Sequence, residues 1–141
     1  MAEFAWMGRL AGASVALLVA CTLACASAVA ASSPLQGAYQ VHVGGSGPLS
    51  GTWRLAFSAS GAYTVSKKPN TSAVLIAGTS TVSGHKIVLV DRSGPASCTG
   101  SSAKGTYSWT LAGKRLKLHV VKDTCGGRPE VLASSAWTRV G

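Results

Sequence analysis

Acidic side chains are scarce in this chain. Its 141 residues hold 4 Asp and Glu against 13 Lys and Arg, for a formal net charge of +9. Histidine is also rare. His42, His85 and His119 stand on separate segments, and no two of them have the spacing of a zinc-binding pair. No Gly-x-Ser-x-Gly elbow, phosphate loop or dinucleotide fingerprint occurs. No window of a dozen residues beyond residue 30 repeats with the 3.6-residue period of an amphipathic helix. These gaps remove helical bundles, the nucleotide-binding α/β folds and a zinc centre from consideration. They lead to the expectation of a protein that is not an enzyme and carries neither cofactor nor metal.

A long apolar run is present at the N-terminus. Arg9 precedes Leu10 to Ala20, which is almost wholly apolar, and small residues follow. A basic flank, an apolar core of about ten residues and small residues after it make a secretory signal. Counted on to Ala31, the run approaches the roughly 20 residues a membrane anchor needs. Its Ala, Ser and Cys content and the cleavage sites behind it favour a signal that is removed. Two schemes fit. Leu18-Val19-Ala20-Cys21 is similar to the lipobox of bacterial lipoproteins, in which Cys21 would be lipidated. Ala28-Val29-Ala30 is an ordinary A-x-A site before Ala31, and Ala24-Cys25-Ala26 is a weaker one. The expected organisation is therefore a signal over residues 1–30, a short leader over 31–36 and one domain over 37–141. The address is secreted or cell-envelope.

That domain reads as strands and turns almost throughout. Trp53, Leu55 and Phe57 alternate with polar residues along one strand, and Tyr63 and Val65 return beyond the turn at Gly61. Residues 73–83 hold a further strand or two, with Gly78 as a bulge or bend. Lys86 to Asp91 follows. Tyr107, Trp109 and Leu111 face inward on one strand, and Leu116, Leu118 and Val120 on the next. A last strand lies near residues 136–140. About eight strands with short connections predict an all-β fold, an antiparallel up-and-down eight-stranded barrel, with a sandwich as the other arrangement. Closing the barrel removes exposed strand edges, so a monomer is expected.

Cys98 and Cys125 are the cysteines left beyond the signal. In an exported chain two cysteines most simply pair. A metal site built on them would need more ligands, and His119 is the one histidine between them. Asp123 and Arg128 flank Cys125 in a glycine-bearing loop. No nucleophile or second acid accompanies them in sequence, so they are read as an ion pair that shapes the disulfide loop.

Gly51-Thr52-Trp53 opens an early strand and Arg139 lies in the last one. This resembles the Gly-x-Trp and terminal arginine of the calycins, the superfamily of lipocalins, fatty-acid-binding proteins and avidins. The string from Gly105-Thr-Tyr-Ser-Trp109 through Asp123-x-Cys125-Gly-Gly-Arg128 is similar to the C-terminal half of small bacterial lipocalin-like secreted domains. The resemblance implies a calycin-like barrel in which Arg139 packs over Trp53 and closes one end. It also implies an interior that holds a small apolar or amphipathic ligand, with Trp53, Tyr63, Tyr107, Trp109 and Trp137 as candidate lining. The same aromatics could instead fill a solid core. A second expectation is an envelope protein-interaction module such as a calycin-type protease inhibitor, which would act through residues 31–36. The basic surplus clusters at Lys67-Lys68 and at Lys114-Arg115-x-Lys117. It would attract an anionic envelope polymer or lipid surface. No nucleic-acid partner is expected of an exported chain.

Overall fold

The computed structural model describes residues 32–141. The expected signal, its cleavage sites and the lipidation of Cys21 lie outside the described residues. Eight strands follow in chain order: β1 (Gly37–Val43), β2 (Gly51–Phe57), β3 (Ala62–Lys67), β4 (Asn70–Ser83), β5 (Lys86–Ser93), β6 (Lys104–Ala112), β7 (Arg115–Lys122) and β8 (Trp137–Val140). One short helix, α1 (Arg128–Leu132), lies between β7 and β8. Each strand pairs antiparallel with the next and β8 returns to β1, giving a closed up-and-down barrel. The alternation of apolar and polar residues is the cause. Each strand buries one face, and closure leaves no strand edge without a partner.

The interior is filled by side chains. Tyr39, Leu55, Ile87, Leu89, Tyr107, Leu116, Leu118 and Trp137 are fully buried, and Trp53, Tyr63 and Trp109 are nearly so. Gly78 sits where the pairing of β4 with β5 slips, as its place in the sequence predicts. A Cβ there would lie 2.1 Å from the Val90 carbonyl oxygen and 2.7 Å from Cε1 of Tyr63. Glycine therefore lets the Tyr63 ring and the β5 backbone approach together.

The topology gives the barrel two different ends. Tight turns at 58–61, 84–85 and 113–114 lie at one end, together with the start of β1 and the end of β8. The longer connections 44–50, 94–103 and 123–136 lie at the other. Closure by β8 is brief. It meets β7 through Arg115↔Thr138 and Leu116↔Trp137, and β1 through Ala38, Tyr39 and Gln40. At the long-loop end α1 takes its place, with Val131 and Leu132 joining the core. Leu132 also accepts a hydrogen bond on its carbonyl from Trp137 Nε1 at 2.9 Å.

Two expectations need correction. Val120 was expected inward and is 45 % exposed. Past Leu118, β7 has no β8 residue beside it, and its pairing with β6 slips between Thr106 and Tyr107. Arg139 was expected over Trp53. It lies instead over the ring of Tyr39, 5.2 Å from the centroid, and donates to the Tyr39 hydroxyl from Nη2 at 2.6 Å. Tyr39 and Arg139 are direct cross-strand partners in β1 and β8, so pairing register decides the contact. Gly37 beside them has φ +133°, a backbone conformation that favours glycine. Gly51 instead starts β2 opposite Val43, and Trp53 meets Lys67 Nζ at 5.2 Å from its ring.

Candidate functional site

The long-loop end holds the densest polar cluster among the described residues, and it is built in two matching halves around one arginine. β5 supplies Asp91 and β3 supplies Tyr63, whose hydroxyl donates to Asp91 Oδ1. The backbone N–H of Cys98 donates to Asp91 Oδ2 at 2.8 Å. In the second half, the Tyr107 hydroxyl of β6 donates to Asp123 Oδ2, and the Cys125 backbone N–H donates to Asp123 Oδ1 at 2.8 Å.

Arg128, the first residue of α1, joins the halves. Its Nη1 is 2.7 Å from Asp91 Oδ1, while Nε and Nη2 grip Asp123 at 2.7 and 2.8 Å. It also donates to the carbonyls of Ala103 and Ser102 at 2.9 and 3.1 Å. The three charged side chains are 0–1 % exposed. Cys98 and Cys125 form a disulfide, with Cα atoms 5.8 Å apart. The bond therefore ties together the two loops whose amides hold the two carboxylates. It is consistent with an oxidising, exported location. Its sequence separation of 27 corresponds to roughly 3–4 kcal/mol in the chain-entropy account.

Gly105 makes the cluster sterically possible. It occupies an inward position of β6, and a Cβ there would fall 2.5 Å from Asp123 Oδ2 and 2.8 Å from Arg128 Nη2. The electrostatics follow from the same geometry. Burial alone would raise the Asp123 carboxyl. Hydrogen bonds from Arg128, Tyr107 and the Cys125 amide outweigh that and hold it below its ordinary range. Burial is the largest influence on Tyr63 and Tyr107, and each also donates to a carboxylate. Both phenols are pushed far above their ordinary value and remain donors. Burial works against the Arg128 charge, but Asp123 and Asp91 more than compensate and raise its affinity for the proton.

Chemically this cluster is saturated. Each carboxylate oxygen already accepts from the protein. Asp91, Cys98 and Cys125 place ligand atoms within 4.8 Å of one another. That set does not suit a metal ion, because the sulfurs are bonded to each other and Asp91 is bound to Arg128. The histidines remain apart. His42 meets Thr52 Oγ1 at 3.3 Å, His85 lies 5.3 Å from the ring of Trp109, and His119 is exposed on β7.

Beside the cluster is a small apolar pocket of about 80 Å³, partly open to solvent. Leu49, Trp53, Val65 and Ile76 form its barrel wall, and Val131 and Leu132 of α1 form its other side. Arg128 and Gly127 contribute to the lining. Trp53 is held by donation from its Nε1 to the Leu49 carbonyl at 2.8 Å. Of the five aromatic residues expected to line a ligand site, Trp53 borders this pocket. Tyr63 and Tyr107 belong to the polar cluster. Trp137 is packed in the core, as is Trp109, whose Nε1 is buried without a hydrogen-bond partner.

Asp91 and Gly105 each carry a signal in the sequence for a place in this cluster. Asp91 keeps the inward phase of Ile87 and Leu89, and Gly105 keeps that of Tyr107 and Trp109. An acid or a glycine in the buried phase of a strand marks a position that serves something other than apolar packing.

The chain matches no family model, no curated protein and no solved structure. The architecture is compatible with a calycin-like fold on its geometry.

Proposed function

We propose that this is an exported, non-catalytic binding protein that takes a small apolar group at the long-loop mouth of its barrel. The pocket between Leu49, Trp53, Ile76 and α1 carries this reading. Pockets for drug-sized ligands run to about 300–1,000 Å³, and an engineered apolar cavity of about 150 Å³ takes benzene. The 80 Å³ here suits a few carbon atoms. The favoured ligand is the apolar end of an amphipathic molecule whose remainder lies outside the mouth.

A non-catalytic role is supported by the state of the candidate acids. Asp91 and Asp123 have their oxygens occupied by Arg128, tyrosine hydroxyls and backbone amides. The inhibitor-like alternative relies on a free segment over residues 31–36. Leu35 is fully buried, and the Pro34 carbonyl accepts from Arg139 at 3.1 Å, so the described part of that segment is tied to the barrel.

Trp53 makes the reading testable. Titrating the oxidised protein with a short-chain alkyl amphiphile should shift tryptophan fluorescence saturably, and native mass spectrometry should show a one-to-one complex. Ala96 lines the pocket from the 94–103 loop, so Ala96→Leu should weaken that binding. Neither a complex nor a fluorescence change in the parent protein would overturn the reading.

A further inference from the structure

Sequence places basic clusters at turns and on an outward strand face, and the fold assembles a longer one on the outer wall of β5, β6 and β7. Thr106, Ser108 and Thr110 alternate with the buried residues of β6 and so form a row of hydroxyls on the outside. Pairing sets basic side chains on both sides of that row. Lys122 is opposite Thr106, and Lys117 is opposite Thr110. Lys86 and His119 flank Ser108 from β5 and β7. Lys104 begins the row, and Arg115, opposite Ala112, ends it. At the Lys104 end the wall dips into a depression of about 190 Å³, lined by Lys104, Lys122, Thr106, Ser101 and Thr124.

No acid interrupts this wall. Beyond residue 30 the acids are Asp91, Asp123 and Glu130. The first two are sequestered on Arg128, and Glu130 lies on α1. Among the described residues the lysines of the wall form no ion pair, because the ion pairs present are those of Arg128. A barrel strand is extended, though twisted and tilted to the barrel axis. Nine residues of β6 therefore offer a track about 30 Å long, with hydroxyls about 7 Å apart.

We propose that the outer wall of β5–β6–β7 binds a linear oxyanion polymer along β6, with Lys104 and Lys122 as its principal anchors. Lysines neutralise the charges, and the hydroxyl row donates hydrogen bonds between them. The wall presents no aromatic side chain on which bases could stack, which sets it apart from single-strand nucleic-acid sites. Its outward apolar side chains are valines, Val88 and Val90 on β5 and Val121 on β7, smaller than the aromatic and leucine side chains that anchor a protein in a lipid interface.

Long-chain inorganic polyphosphate is a suitable probe, being linear and free of bases. It should bind the oxidised protein with an affinity that falls steeply with salt. The K104Q/K122Q pair should lower affinity about tenfold or more and reduce the log–log salt slope by about 1–2. The control pair R54Q/K68Q removes equal charge from β2 and the β3–β4 turn, and should have a much smaller effect. Both pairs should retain the parent's thermal midpoint. Equal losses from the two pairs would show attraction to net charge alone and overturn the proposal. So would tighter binding to single-stranded DNA of equal charge, or to anionic phospholipid vesicles, than to polyphosphate.

Discussion

Each end of the barrel is finished by an arginine, and the two arginines are held in opposite ways. Arg128 at the long-loop end is 4 % exposed and lies between two carboxylates. Arg139 at the tight-turn end is half-buried and meets no acid among the described residues. It lies over Tyr39 and donates to that hydroxyl and to the Pro34 carbonyl. A buried guanidinium needs counter-charges and a full set of acceptors, and the chain commits two of its rare acids to supplying them. A rim guanidinium keeps part of its hydration, so an aromatic face and neutral oxygens suffice. The difference teaches that the same residue type closes a barrel as a buried electrostatic keystone or as a surface cover, depending on the water left around it.

The sharpest test removes the keystone. Arg128→Met keeps much of the volume but leaves Asp91 and Asp123 buried close together without a cation. Breaking a buried ion pair from one side costs about 3–5 kcal/mol, and here two anions are stranded. Urea denaturation of the oxidised protein should show a loss of that size, if the variant folds at all. A loss below about 1 kcal/mol, the scale of an exposed pair, would mean that the cluster contributes little and the contrast fails.

A titration separates the tyrosine contribution of the cluster from the carboxylate contribution. Tyr63 and Tyr107 have raised phenol pKa values in the folded state. Their contribution is therefore complete below about pH 10, the unfolded value, and declines as pH rises toward the folded values. The sign follows from proton counts, because above that pH the unfolded chain has released protons that the folded chain keeps. Each tyrosine should remove up to about 1.4 kcal/mol per pH unit. Asp123 works in the other direction. Its lowered pKa gives stability that is present above about pH 4 and is lost as pH falls through the folded value. Thermal midpoints across pH should form a plateau bounded by both losses. Tyrosinate absorbance from Tyr63 and Tyr107 should appear with unfolding rather than before it. Ionisation of these residues in the intact fold would break the account.

What sequence reveals divides along the same line. Strand alternation and the Cys98–Cys125 pairing are local or compositional properties, and both are legible. Asp123 and Arg128 are close enough in sequence to be read as a pair. Asp91 is not, because only the β5–β6 pairing and the disulfide bring it to them. Arg139 is subtler still. Four Gly-x-aromatic triplets exist, Gly37-Ala38-Tyr39, Gly51-Thr52-Trp53, Gly61-Ala62-Tyr63 and Gly105-Thr106-Tyr107, and nothing local says which one β8 will meet. Register between the first and last strands decides it, and that is a property of the closed barrel. Val120 shows the same limit. Its alternation is correct, but the brevity of β8 leaves it at the flank.

The smallest expected effect lies at the rim. Arg139→Met retains an apolar stem over Tyr39 and loses the planar charge with its hydrogen bonds, for about 1 kcal/mol by the scale of exposed cation–π and neutral contacts. Urea denaturation under the conditions used for Arg128→Met gives the comparison directly. Equal losses would mean that burial does not distinguish the two arginines. Arg139→Lys refines the result, since lysine restores the charge but not the flat face or the forked donors. Recovery of about half the loss or less would assign the contact to stacking and paired hydrogen bonds with Tyr39. Full recovery would assign it to charge, and would remove the reason for an arginine rather than any cation at this end.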